Sequence, residues 1–112
     1  MRGMPHAASA RDPLDALGNP QRRAIVELLA KRPRSVREIA DVLPISRPAV
    51  SRHLRLLSEA GLVSDEQVGT RRLYRLDEVG AAEVAGYLHR VWGDATGRFR
   101  IFAENTSPRR RR

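Results

Sequence analysis

The chain has 112 residues, enough for one small domain and too few for two comfortable ones. Hydrophobic residues make up 41% and aromatics only 4%, so the core must be built from Leu, Val, Ile and Ala, which suits helices better than a sandwich or barrel. The absence of cysteine excludes disulfides and thiolate metal sites, and the net charge of +8 points to a polyanionic partner, although Arg109 to Arg112 carry half of it.

No apolar stretch approaches the roughly 20 residues of a bilayer span. Met1 to Arg11 lacks the apolar run of a signal peptide, so a cytoplasmic protein with no membrane partner is the expectation. That segment is rich in Ala, Gly, Pro and Ser, has no period, and reads as a flexible lead-in. Asp12 as N-cap and Pro13 at the first helical position open a short helix that presents Leu14 and Leu17 and stops at Gly18. Asn19-Pro20 repeats the start signal. The second helix reaches about Lys31, with Ile25, Val26, Leu28 and Leu29 as a broad apolar face, and Pro33 ends it.

Ser35 and Glu38 fit a capping box opening a third helix, Val36 to Leu43, which Pro44-Ile45 breaks. Ser46 is the next N-cap, and its helix continues to Ala60, where Gly61 supplies the stop. The period then changes from 3.6 to 2. Leu62 to Val68 and Arg71 to Leu76 flank Gly69-Thr70 as a hairpin. Asp77 caps a last helix running to about Glu104, and Asn105 to Arg112 reads as a disordered basic tail whose arginines would add phosphate affinity without sequence preference.

The segment from Ser46 to Gly61 carries the chemistry. On a wheel of 100° per residue, Leu54 and Leu57 fall within roughly 40° of Val50, whereas Pro48, Arg52, Arg55 and Glu59 lie opposite, with Ser51 between. One face packs; the other offers guanidinium forks and a hydroxyl to a major groove, where arginine is the commonest reader of guanine. Ser46, Arg47, Pro48, Ser51 and Arg52 stand at the end that reaches the bases. Arg55 shares that face. A solvated basic face is the competing reading, and the tight turn before the helix and the hairpin after it weigh against it. In the hairpin, Gly69 permits close approach, Thr70 offers a hydroxyl, and Arg71 and Arg72 bring charge to a DNA backbone. Strand alternation points those two arginines apart, so only one reaches DNA well. Charges that merely protect a sheet edge are the alternative.

Leu17-Gly18-Asn19-Pro20-Gln21-Arg22-Arg23, Ser46 to Leu54, Glu59-Ala60-Gly61-Leu62-Val63 and Gly69 to Tyr74 together resemble the ArsR/SmtB-type winged helix-turn-helix repressors, in consistent order from about Leu14 to Phe102. The resemblance implies a homodimer on an imperfect palindrome of double-stranded DNA, with Ser46, Arg47, Ser51, Arg52 and the wing from Gly69 to Arg72 facing it. It also places His53 at a packed helix margin. Many members sense metals, and neither common site fits this chain. The thiolate site needs cysteines near the third helix. The other needs an Asp-x-His pair and a later His-x-x-Glu on the last helix. With His89 as the first histidine, Tyr87 replaces the Asp, and Arg100 and Ala103 occupy the later positions. With His89 as the last, Trp92 replaces the Glu. A regulator without metal or other cofactor is therefore expected, and no small-molecule effector is identified.

In the last helix Val84, Leu88, Val91, Ala95 and Phe102 recur at three- or four-residue steps, with Trp92 and Phe99 alongside. The stripe is too apolar for one exposed helix, and a second copy is the economical cover, joined by Leu14 and Leu17. Intramolecular core is the alternative, which Leu88 would also serve. Gly86, Gly93 and Gly97 either break this helix near Gly93 or allow close helix approach. The expected architecture is mainly α with a small β-hairpin, in the order α-α-α-α-β-β-α. It comprises a lead-in (1–11), a DNA-binding and dimerisation domain (12–104) and a tail (105–112). The competing function is a winged-helix protein-interaction module without sequence-specific DNA binding. An enzyme is not expected, because no nucleophile–base pair, phosphate loop or ligand cluster is present.

Overall fold

A computed structural model of the chain describes residues 12–106; within it, the side chains of Asp94 and of residues 96–106 fall outside the description. The lead-in (1–11) and the Arg109 to Arg112 run also lie outside the described residues. Among the described residues five helices and one hairpin follow the expected order: α1 (Pro13–Ala16), α2 (Pro20–Lys31), α3 (Val36–Val42), α4 (Arg47–Glu59), β1 (Val63–Val68), β2 (Arg71–Leu76) and α5 (Glu78–Thr106).

Short polar side chains set the helix starts by satisfying amides that have no partner within the helix. Asp12 accepts from the Leu14 amide at 2.9 Å, and Asn19 from Gln21 and Arg22 at 2.8 and 3.0 Å. The Ser35–Glu38 box closes in both directions, at 3.2 Å onto the Ser35 hydroxyl and 2.9 Å onto the Glu38 carboxylate. Ser46 accepts from Ala49 at 3.3 Å. The third helix ends at Val42, one residue before the expected Leu43, which serves as its C-cap.

The chain packs as two units, one up to Ala82 and one from Glu83 onward. In the first, Ile25 and Leu29 of α2, Ile39 of α3, and Val50, Leu54 and Leu57 of α4 form the core, and Leu62 and Val63 are buried with them. β1 and β2 pair antiparallel from Val63 opposite Leu76 to Val68 opposite Arg71. Gly69 takes φ +64 and Thr70 a negative φ, the pattern of a two-residue turn with glycine at its first central position. The Arg34 and Tyr74 backbones exchange hydrogen bonds at 2.9 and 2.8 Å, which pins the hairpin onto the loop before α3.

Gly61, at φ +79, turns the chain out of α4. Gly80, in the first turn of α5, lies against that turn so closely that a Cβ would stand 1.8 Å from the Gly61 carbonyl oxygen. From there α5 runs unbroken through Gly86, Gly93 and Gly97, so the break considered near Gly93 does not occur. Asn105 and Thr106, assigned to the tail from sequence, continue the helix.

Candidate nucleic-acid interface

Burial divides α4 as its wheel requires. Val50, Leu54 and Leu57 are 0–1% exposed, whereas Arg47, Pro48, Ser51, Arg52 and Arg55 are exposed, as is the Ser46 N-cap. Ser51, Arg52 and Arg55 thus share the solvent side of a helix whose other face is fixed in the core, and Arg47 stands at its N-terminus.

His53 sits at the margin and is buried. Its Nε2 lies 2.8 Å from the Gln21 side-chain oxygen and its Nδ1 3.5 Å from Arg22 Nη1. The partners select the Nε2–H tautomer, which donates to Gln21 and accepts from Arg22. Burial, then the Arg22 and Arg52 charges, push the His53 pKa down and hold the ring neutral. Arg22 also donates to the Ala16 carbonyl at 2.7 Å, and Arg23 to the Leu17 carbonyl at 2.7 Å, so the Gln21-Arg22-Arg23 run ties α1, α2 and α4 together. No periodicity signalled that role.

The wing differs from its sequence reading. Gly69, Thr70, Arg71 and Arg72 are all exposed at its tip. Both arginines, however, already have carboxylate partners. Arg71 reaches back to Glu38 of α3 at 2.8 Å, and Arg72 pairs with Asp65 across the hairpin. Arg75 lies 3.7 Å from Glu66. Exposed pairs of this kind contribute little stability, yet they position the charge. Glu38 is a junction: it accepts from the Ser35 amide and faces Arg71 and, at 3.7 Å, Arg32. The Ser35 hydrogen bond, followed by the arginines, holds its carboxyl below the ordinary glutamate range against an opposing effect of burial. The capping-box signal located Glu38 but not its link to the wing.

Between the starts of α3 and α4 and the wing lies a groove of about 500 Å³, lined by Arg37 and Arg47 as well as the two wing arginines. Arg37 was absent from the sequence-based candidates because its wheel position on α3 shows no stripe; only the tertiary placement of the wing makes it part of a site. In α5, Leu88, Val91 and Trp92 are 43, 52 and 57% exposed; Ala95 is also exposed and Val84 half-buried. Leu14 is 40% exposed and Leu17 half-buried, while the side chains of Phe99 and Phe102 lie outside the described residues. Among the described residues no group of three His, Asp or Glu is placed to hold a metal ion, and no helix is long and apolar enough to cross a membrane.

A family model described as "Bacterial regulatory protein, arsR family" matches residues 19–65. The HTH-type transcriptional regulator Rv2034 of Mycobacterium tuberculosis is 53% identical over 77 residues, covering 69% of this chain and 72% of that protein. The HTH-type transcriptional repressor SmtB of the same species is 44% identical over 68 residues, which are 61% of this chain and 50% of the repressor, so the chain spans half of that relative. Among solved structures, the homodimeric winged helix-turn-helix DNA-binding domain of Mb0332 from Mycobacterium bovis is similar at a TM-score of 0.60 and 31% identity, over 80% of this chain and 93% of that domain.

Proposed function

Because the chain belongs to the ArsR family of bacterial regulatory proteins and is a transcriptional regulator with a winged helix-turn-helix domain, we propose that it acts as a homodimeric repressor, reads a palindromic operator, and does so without a metal-sensing site. The observation that carries the reading is the two-sided α4. Its core face fixes the helix, and Arg47, Ser51 and Arg52 project from the turns nearest its N-terminus. A helix held this way enters the major groove with Ser51 and Arg52 at the base edges, while Arg47, Arg55 and the wing tip at Gly69 and Thr70 follow the backbone.

One such helix reads half a site. The exposed Leu88, Val91 and Trp92 of α5 offer an apolar surface that a second copy would cover, Leu14 of α1 is exposed as well, and the Mb0332 domain is a homodimer. Repression is favoured by the repressor named among the relatives. Freedom from metal is supported by the ligand set: the chain has no cysteine, and the lone His89 of α5 lacks the acidic and histidine partners a last-helix site needs.

Selection of bound duplexes from random DNA tests the proposal. A consensus with two inverted half-sites about one helical turn apart is expected, together with a matching sequence upstream of the gene and a complex of two chains per duplex. Equal affinity for selected and shuffled duplexes would reject sequence-specific regulation and favour a protein-interaction module.

A further inference from the structure

Not every guanidinium around the groove between α3 and the wing is equally available. Arg71 is held by Glu38 and Arg72 by Asp65. Among the described residues no carboxylate pairs with Arg37 or Arg47, and both line the groove beside the Thr70 and Ser35 side chains. Two unneutralised guanidiniums converging on one recess make an oxyanion site, since each offers a fork of donors that matches phosphate geometry. The recess also adjoins the first residue of the recognition helix. A helix lowered into the major groove brings the flanking backbone phosphates to that level.

We infer that this groove seats a phosphate of the DNA backbone gripped by Arg37 and Arg47, and that Arg71 is a positioning residue that neutralises Glu38 instead of touching DNA. The inference rests on the DNA-binding reading above. Without Arg71, the Glu38 carboxylate would keep only the more distant Arg32, at 3.7 Å, against its charge and would repel a phosphate seated nearby. Its bond from the Ser35 amide keeps it ionised and fixed in place. The wing arginine therefore supports binding through the protein, and Arg37 supplies a contact that sequence reading assigned to the wing.

The test uses the full chain and fluorescence anisotropy on a selected duplex and a shuffled one, between about 50 and 200 mM salt, where each phosphate contact adds about 0.9 to the logarithmic salt slope. Arg37→Ala should weaken both duplexes by the same factor and flatten the slope by about 0.9 per chain. Arg71→Ala should weaken both as well. Adding Glu38→Gln to Arg71→Ala should restore binding to within about twofold of wild type, because glutamine keeps the cap but removes the charge. Thermal melting confirms that each variant is folded. An unchanged slope in Arg37→Ala, or a double variant no better than Arg71→Ala, overturns the inference.

Wild type binding neither duplex would defeat the DNA reading itself. A silent Arg37→Ala beside an Arg52→Ala that loses site preference would defeat only the seat. Replacing chloride by inorganic phosphate at constant ionic strength supplies the free-anion arm. Weaker DNA binding by wild type but not by Arg37→Ala is the competition that a backbone seat predicts; phosphate that raises the Tm of wild type but not of Arg37→Ala and leaves DNA binding unchanged would assign the groove to a small anion and overturn the backbone seat.

Discussion

Replacing Gly80 by alanine reverses the usual effect of a helical glycine. In an exposed helix interior the change gains about 1 kcal/mol of helix propensity. At Gly80 the new methyl would stand 1.8 Å from the Gly61 carbonyl oxygen and 2.8 Å from its carbon, far inside the roughly 3.5 Å of an ordinary contact. The opposing atoms are backbone, so no side chain can rotate away, and the upper end of the overpacking cost of about 1–3 kcal/mol applies. The net expectation is a loss of about 2 kcal/mol, or a fall in Tm on the order of 10 °C for a domain of this size. Gly86→Ala is the internal control. There a Cβ meets only the Arg90 guanidinium at 3.5 Å, and the Tm should hold or rise. Melts are compared at one protein concentration, because the proposed dimerisation would contribute to apparent stability. If Gly80→Ala melts at or above wild type while Gly86→Ala gains, the close approach of α5 to the turn after α4 is refuted.

Three further outcomes are expected. Arg52→Ala should lose about 10- to 100-fold of discrimination between selected and shuffled duplexes, the scale of one good base contact, while its affinity for shuffled DNA changes little in a competition assay. Burial holds the His53 pKa below the ordinary value near 6.5, so the unfolded chain takes up the proton first. Its stabilising contribution is therefore complete above about pH 6.5 and lost as pH falls from there toward the folded-state pKa; His53→Gln should flatten that part of a Tm–pH profile. Leu88→Glu, on the exposed α5 face, should raise the dimer dissociation constant at least about tenfold, since it exchanges roughly 1.5–3 kcal/mol of apolar burial for a charge. Sedimentation measures this, and an unchanged constant would move the dimer face elsewhere.

Punctuation made the fold legible. Asp12, Asn19, Ser35 and Ser46 each cap the helix expected of them, and Gly61 and Gly69 take the positive φ that their turns require. These signals are local: a capping oxygen acts within three residues, so chain order alone reveals it. The faces of α4 were equally readable, because 3.6-residue periodicity needs no partner to be seen. The α5 glycines could not be decided that way. Each weakens a helix by a similar small amount, and the sum over the neighbouring residues, not any one glycine, settles whether the helix continues.

The starts of the helices and the two faces of α4 were thus determined by the sequence itself, through capping and periodicity acting over a few residues. Tertiary structure alone decided which charges are free. Glu38 and Arg71 are 33 positions apart and meet at 2.8 Å only because β2 folds back beside α3. Gln21 and Arg22 reach His53 across 32 and 31 positions, and Gly80 meets Gly61 across a hairpin. Pairings at such separations depend on how elements pack, and no repeating pattern along the chain encodes them.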